Sequence, residues 1–224
     1  MVELEQLAWP EVAGTEPLLI CPVGSTEQHG PHLPFGTDTV IATALATSLA
    51  SLRDDGLLGP AISIGASGEH EGFEGTLSIG TETLSRVLVE VVRSARSWTK
   101  GVVFVSGHGG NLEAITAAVS LSDAEGDRVL LVHCGSQGAD LHAGRAETSL
   151  LLFLSPELVR ENERVTGTPG TMAELGARLR AEGVIGVSPS GVLGDPHGAS
   201  AAEGETRFGE MVTRATMQIA EVFG

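Results

Sequence analysis

Four apolar-rich runs punctuate the chain: Leu18 to Val23, Ala61 to Ala66, Val102 to Ser106 and Val129 to Cys134. Short, nearly continuous apolar runs predict strands buried on both faces, as in a parallel sheet. Between them apolar positions recur at helical spacing from about 39 to 53, 82 to 98 and 111 to 124, so strand and helix alternate. Beyond Cys134 the pattern loosens into helices at about 146–154, 172–181 and 201–223, with a Gly- and Pro-punctuated loop over 183–198. The reading is a single α/β domain over residues 1–224: three layers, α/β/α, around a mostly parallel central sheet. No repeat or linker divides it.

Charge narrows the partners. Twenty-nine acidic against thirteen basic residues leave a formal net charge of −16, which repels phosphate backbones and anionic membrane surfaces. Neither nucleic acid nor membrane is an expected partner. The N-terminus has no basic segment leading into an apolar one, and no later stretch carries about 18 uninterrupted apolar residues, so a cytoplasmic location is expected. Cys21 and Cys134 lie in apolar, strand-like contexts and read as buried free thiols.

In open α/β sheets ligands bind beyond the carboxyl ends of the strands, and that is where the ionisable residues of this chain collect. The first run leads into GSTEQHGPHLPFGTD (24–38), the second precedes SGEHEGFEGT (67–76), and the third precedes GHGGN (107–111). Asp140, His142 and Glu147 follow the fourth. Glu27 and His29, two residues apart, share one face of an extended segment, and Asp38 follows a Pro- and Gly-containing loop. Mixed imidazole and carboxylate donors suit zinc, iron or manganese. Taken alone, this cluster is equally consistent with a polar loop in which Thr37 or Asp38 caps a helix.

His108 shifts the balance, because a strand delivers it into a run of glycines that lets the backbone approach a ligand closely. The phosphate-loop alternative fails for want of GxxxxGK[ST] or GxGxxG. Asn111 is expected to cap the following helix and to be available as a polar contact to substrate. His142 sits in a Gly-flanked turn, and Glu147 lies in a first helical turn, where a carboxylate is often merely structural. Glu69, His70, Glu71 and Glu74 form an acidic loop that reads either as solvated or as lining the cleft, and are not assigned as ligands. Asp195 is placed at the rim of the cleft, and His32, His133 and His197 default to structural roles. Ser25 and Ser106 lack a base and an orienting partner, which argues against a serine nucleophile.

The segments PVGSTEQHGPHLPFGTD, GASGEH, GTLSIGT, VFVSGHGGN, HAGRAETS and SGVLGDP, in order from about residue 20 to 205, resemble the creatininase family of metal-dependent amidohydrolases. Within it, GASGEHEGFEGTLSIGTETL and SGVLGDPHGASAAEG are most similar to the branch of creatininase-like peptidases in mycofactocin biosynthesis. The resemblance implies a creatininase-like fold and a centre of two divalent metal ions. Glu27, His29, Asp38 and His108 would be ligands, Asp38 bridging, and His142 the catalytic histidine. Creatinine hydrolases carry a glutamate two residues after the GH histidine, where this chain has Gly110, and Glu147 is the candidate to fill that vacancy. Their ring-covering tryptophan has no counterpart near His142, which argues against creatinine as substrate. The implied reaction is hydrolysis of a peptide bond near the C-terminus of a precursor peptide whose terminal Val and Tyr have been modified. The alternatives are hydrolysis or deformylation of a small amide and, of another class, a non-catalytic metal-binding scaffold. A homo-oligomer is also implied.

Overall fold

A computed structural model describes residues 2–135 and 138–224. Its elements follow one another as α1 (Trp9–Val12), β1 (Leu18–Val23), α2 (Thr37–Ser51), β2 (Gly56–Leu58), α3 (Thr81–Ala95), β3 (Gly101–Ser106), α4 (Leu112–Ala124), β4 (Val129–His133), α5 (Arg145–Leu154), α6 (Met172–Val187) and α7 (Ala201–Phe223). The sheet order is β2-β1-β3-β4, and every pairing is parallel.

Alternating residues of each strand feed opposite layers, as the two-residue period of a strand requires. Leu18 and Ile20 of β1, with Val103 and Val105 of β3, pack with Ile41, Leu45 and Leu49 of α2, Leu151 of α5 and Met211 and Ile219 of α7. Leu19, Cys21 and Val23, with Val102 and Phe104, pack with Leu84, Leu88 and Val92 of α3 and Ala114, Ile115 and Ala118 of α4. This is the expected three-layer arrangement. A smaller apolar cluster joins Leu175, Val184 and Val187 of α6 to Leu193, with Phe73, Leu141 and Leu179 against it.

The second strand departs from the sequence reading. It forms at Gly56–Leu58, and the run Ala61 to Ala66 contributes only one isolated parallel bridge, Val23 to Ile62. Gly59 N–H donates to the Ile20 carbonyl and Ile62 N–H to the Pro22 carbonyl, so the segment around Pro60 holds one residue more than β1 and the ladder breaks there. The loop expected over 183–198 is partly helical, because α6 continues to Val187 across a kink at Gly183, whose φ of 67° is left-handed.

Topology places the site. From β1 the chain first moves outward to β2, then returns past β1 to β3, so the loops after β1 and β3 diverge from a switch point at the carboxyl edge of the sheet. α2 starts directly over that edge. A Cβ on Gly24 would lie 2.2 Å from Thr39 Oγ1, and one on Gly107 would lie 2.2 Å from the Asp38 carbonyl oxygen. Bare backbone at the ends of β1 and β3 is what admits the first turn of α2.

Candidate metal centre

The loop after β1 delivers Glu27 and His29, the first turn of α2 delivers Asp38, the turn after β3 delivers His108, and the segment before and within α5 delivers His142 and Glu147. Glu27, His29, Asp38, His108 and His142 are all buried. Their donor atoms form three compact groups: Glu27, Asp38 and His108; His29, Asp38 and Glu147; and Glu27, His29 and His142. Asp38 is common to the first two. His29 Nε2 lies 3.2 Å from Asp38 Oδ1 and 4.0 Å from Glu147 Oε2, and His108 Nδ1 lies 3.5 Å from Asp38 Oδ2.

Glu27 tests whether these residues fit a metal. Its side chain is fully buried, and among the described residues no backbone, hydroxyl or amide group donates to either carboxylate oxygen. Three imidazoles face it instead: His108 Nε2 at 3.1 Å, His70 Nε2 at 3.2 Å and His142 Nδ1 at 3.8 Å. A buried carboxylate met only by imidazoles is costly unless a cation compensates its charge. The donor set fits a divalent ion of the zinc, iron and manganese type.

Neighbouring groups aim the ligands. Ser25 Oγ donates to Asp38 Oδ2 at 2.5 Å. The Ala143 N–H donates to Glu147 Oε2 at 2.6 Å, from a residue held at φ 52°. His29 Nδ1 lies 3.1 Å from the Glu27 carbonyl, an acceptor only, so Nδ1 carries the hydrogen and Nε2 turns to the carboxylates. The same logic fixes His142: Nε2 lies 2.7 Å from the Gln28 carbonyl, leaving the Nδ1 lone pair toward Glu27. The Gln28 amide nitrogen then donates to the Gly191 carbonyl at 3.1 Å and to His70 Nδ1 at 2.9 Å, which turns the His70 Nε2–H to Glu27.

Protonation follows this packing. Burial opposes a charge on His29, but Asp38, with Glu147 and Glu27 behind it, outweighs burial and raises its pKa to about 9. Burial likewise works against the Asp38 carboxylate, and His29 prevails, bringing it down to about 2. For Glu147 burial dominates, and with Asp38 and Glu27 close by the carboxyl rises to about 7. Burial beside His29 and His70 holds His142 well below the usual histidine range.

The centre opens into a cavity of 710 Å³. Asp38, Glu69, His70, His108, His142 and Glu147 are among its polar lining, and Leu112, Leu141, Leu179, Val184 and Leu193 give it an apolar wall that Glu113 and Arg180 also flank. Such a volume lies within the range of roughly 300–1,000 Å³ usual for small-ligand pockets.

Several residues differ from expectation. Asn111 neither caps α4 nor faces the cavity: its amide accepts from Ala66 N–H and donates to the Gly24 carbonyl, each at 2.8 Å, and is fully buried. Asp195 is exposed and accepts from Thr166 Oγ1 and the His197 N–H, a turn-stabilising role away from the cavity lining. Of the loop with two open readings, Glu69 and His70 line the cavity, whereas Glu71 and Glu74 are exposed. His133, given a structural default, also reaches the cavity wall. His32 is buried against Thr148 Oγ1 at 2.9 Å, and burial lowers its pKa to about 4. Asp140 holds the start of α5 by accepting from the Arg145 and Ala146 N–H groups. Ser25 and Ser106 donate to Asp38 and to the His108 carbonyl, so neither is poised as a nucleophile.

Gly107→Ala tests the approach of α2. The added methyl would meet the Asp38 carbonyl at 2.2 Å, and overpacking of this kind costs about 1–3 kcal/mol. The expected result is a lower denaturation midpoint together with weaker metal retention; unchanged values of both would show that the contact yields freely.

The family model described as "Creatininase: Creatinine amidohydrolase" matches residues 5–220. The chain belongs to the creatininase family. Membership makes it a metal-dependent hydrolase of amide bonds. Among relatives, the "Mycofactocin precursor peptide peptidase" of Mycolicibacterium smegmatis is 53% identical over 201 residues, covering 88% of this chain and 81% of the relative. The protein of the same description from Mycobacterium ulcerans is 48% identical over 218 residues, covering 94% and 87%. Among solved structures, one titled "Creatininase Mn" superimposes with a TM-score of 0.81 at 26% identity, covering 99% of this chain and 98% of that one. Among the described residues no helix is long and apolar enough to cross a membrane.

Proposed function

We propose that this creatininase-family chain hydrolyses a peptide bond near the modified Val-Tyr terminus of a mycofactocin precursor peptide. In this reading Glu27, His29, Asp38, His108 and Glu147 would hold two divalent ions, and Asp38 would be the ligand available to both. The observation that carries the metal assignment is the occurrence of Asp38 in two donor groups beside the buried Glu27 carboxylate, which among the described residues is met only by imidazoles. The substrate assignment is supported by 53% identity to a peptidase of that description, against 26% to the creatininase of the manganese structure. A homo-oligomer remains part of this reading, and sedimentation of the metal-loaded protein tests it.

When bound, divalent ions supply Lewis acidity and bring the pKa of coordinated water towards about 7. The protein's part is to orient and to move protons. Ser25 and the Ala143 N–H each hold one carboxylate oxygen of Asp38 and Glu147, fixing the direction of the other. His142, anchored through Nε2, takes up a proton at Nδ1 and passes it to the leaving amine. The apolar wall from Leu112 to Leu193 receives the side chains flanking the cleaved bond and excludes water.

The test is to incubate metal-loaded protein with the modified precursor peptide and to follow released dipeptide by mass spectrometry, with and without chelator. Release that stops on chelation and returns with zinc or manganese is expected. No dipeptide from loaded protein would sink the substrate assignment and turn attention to small cyclic amides or formamides.

Metal binding is expected to depend on pH. In the metal-free protein the pKa of His29 is about 9, above its unfolded value of about 6.5. The His29–Asp38 contact therefore contributes its full stability below about 6.5 and loses it as pH rises through about 9. An ion must displace that proton, so binding strengthens over the same window, by up to about tenfold per pH unit for each proton released. The gain in thermal midpoint on adding Zn²⁺ should be larger near pH ~8.5 than near pH ~6.5. A gain that does not change with pH would contradict the assignment of His29 as a ligand.

A further inference from the structure

The turn Gly68–His70 packs against Gly110 more closely than any side chain at 110 would permit. A Cβ there would lie 2.3 Å from His108 Nε2, 2.5 Å from Glu69 Oε1 and 2.6 Å from the Ala66 carbonyl oxygen. The glycine thus leaves room for a carboxylate from a different loop. Glu69 Oε1 lies 3.3 Å from His108 Nε2, and the Ala66 carbonyl lies 3.2 Å from the same atom. The Glu69 side chain is 35% exposed and has no cation other than His108 within ion-pair distance among the described residues.

We propose that Glu69 is a positioning residue of the metal centre: its carboxylate and the Ala66 carbonyl receive the Nε2–H of His108 and hold the ring with Nδ1 turned to Asp38. Both groups accept and neither donates, so Nε2 keeps its hydrogen, and Nδ1, 3.5 Å from Asp38 Oδ2, is the nitrogen that would give up its proton to an ion. Glu27 Oε2 also lies 3.1 Å from Nε2. As a ligand, however, Glu27 would be committed to an ion, and Glu69 is then the carboxylate left to hold the ring. A carboxylate behind a ligating imidazole fixes its orientation and raises its basicity, and losing it typically costs about 10- to 100-fold in metal affinity. The inference rests on the metal-centre reading above and adds to it a residue from the 68–70 turn.

Chelator-competition titrations with Zn²⁺ and Co²⁺ test it, using the metal-free full chain as wild type, Glu69→Ala and Glu69→Gln. Wild type and both variants are expected to take up two ions. In Glu69→Ala one of the two dissociation constants should rise about 10- to 100-fold, with a shifted Co²⁺ visible absorption for that ion. Glu69→Gln keeps an accepting oxygen without the charge and should show a smaller rise. A purely structural role would lower the thermal midpoint without separating the two affinities, which would overturn the proposal, as would wild-type affinities in both variants. Should Glu69→Ala fail to fold, the near-isosteric Glu69→Gln still decides. Wild-type protein that takes up no metal would instead overturn the metal-centre reading itself, and this inference with it.

Discussion

Asp38→Asn is expected to lower turnover by at least about 10³-fold and to leave the protein unable to retain either ion. Asp38 belongs to two of the three donor groups, so one substitution weakens two positions together. Without the ions, the fall in water pKa from about 15.7 towards about 7 is lost, and each 1.36 kcal/mol of lost transition-state stabilisation costs about tenfold in rate. Asparagine is the informative replacement, because its oxygen still accepts from Ser25 Oγ where alanine would leave His29 buried without its partner. Removing one member of a buried pair destabilises by about 3–5 kcal/mol, so Asp38→Ala confounds folding with chemistry. The checks are metal content by elemental analysis and kcat on the same preparation. Retention of two ions with normal turnover would refute a bridging Asp38, and loss of metal with undiminished turnover would refute metal-dependent hydrolysis by this site.

The sheet's central strands could be read directly because they are buried on both faces, and burial of that kind leaves a continuous apolar run with little ambiguity. β2 could not, because its three residues Gly56–Leu58 are shorter than the apolar stretch that follows, and the break around Pro60 shows only against the register of β1. At the site, Glu27, His29 and Asp38 were legible because they are close in sequence and one strand end presents them. For His70 and Glu69 the sequence left two readings open, a solvated loop and a lining of the cleft. Their surroundings, GEHEGFEG, carry three glutamates in six residues, the composition of a solvated loop, and only the packing of Gly68–His70 against Gly110 turns two of them inward. Asn111 failed in the opposite direction. A polar residue at a helix start suggests a cap, yet the meeting of Gly24 and Ala66 beside it offers its amide two backbone partners, and those satisfy it fully.

His142→Ala is expected to lower kcat by about 10²- to 10⁴-fold, the usual range for a general acid–base group, with both ions retained and KM little changed. The argument turns on the two ring nitrogens. Nε2 is committed to the Gln28 carbonyl at 2.7 Å, and Nδ1 faces the cluster, 3.8 Å from Glu27 Oε1. Burial beside His29 and His70 keeps the ring neutral, so it is in the form that accepts a proton when water is deprotonated. The same geometry permits a second role, since Glu27, His29 and His142 also form a compact donor group. Metal content separates the two. A variant that keeps two ions but loses kcat identifies His142 as the proton carrier, whereas loss of one ion per chain would make it a ligand and would require another group to protonate the leaving amine.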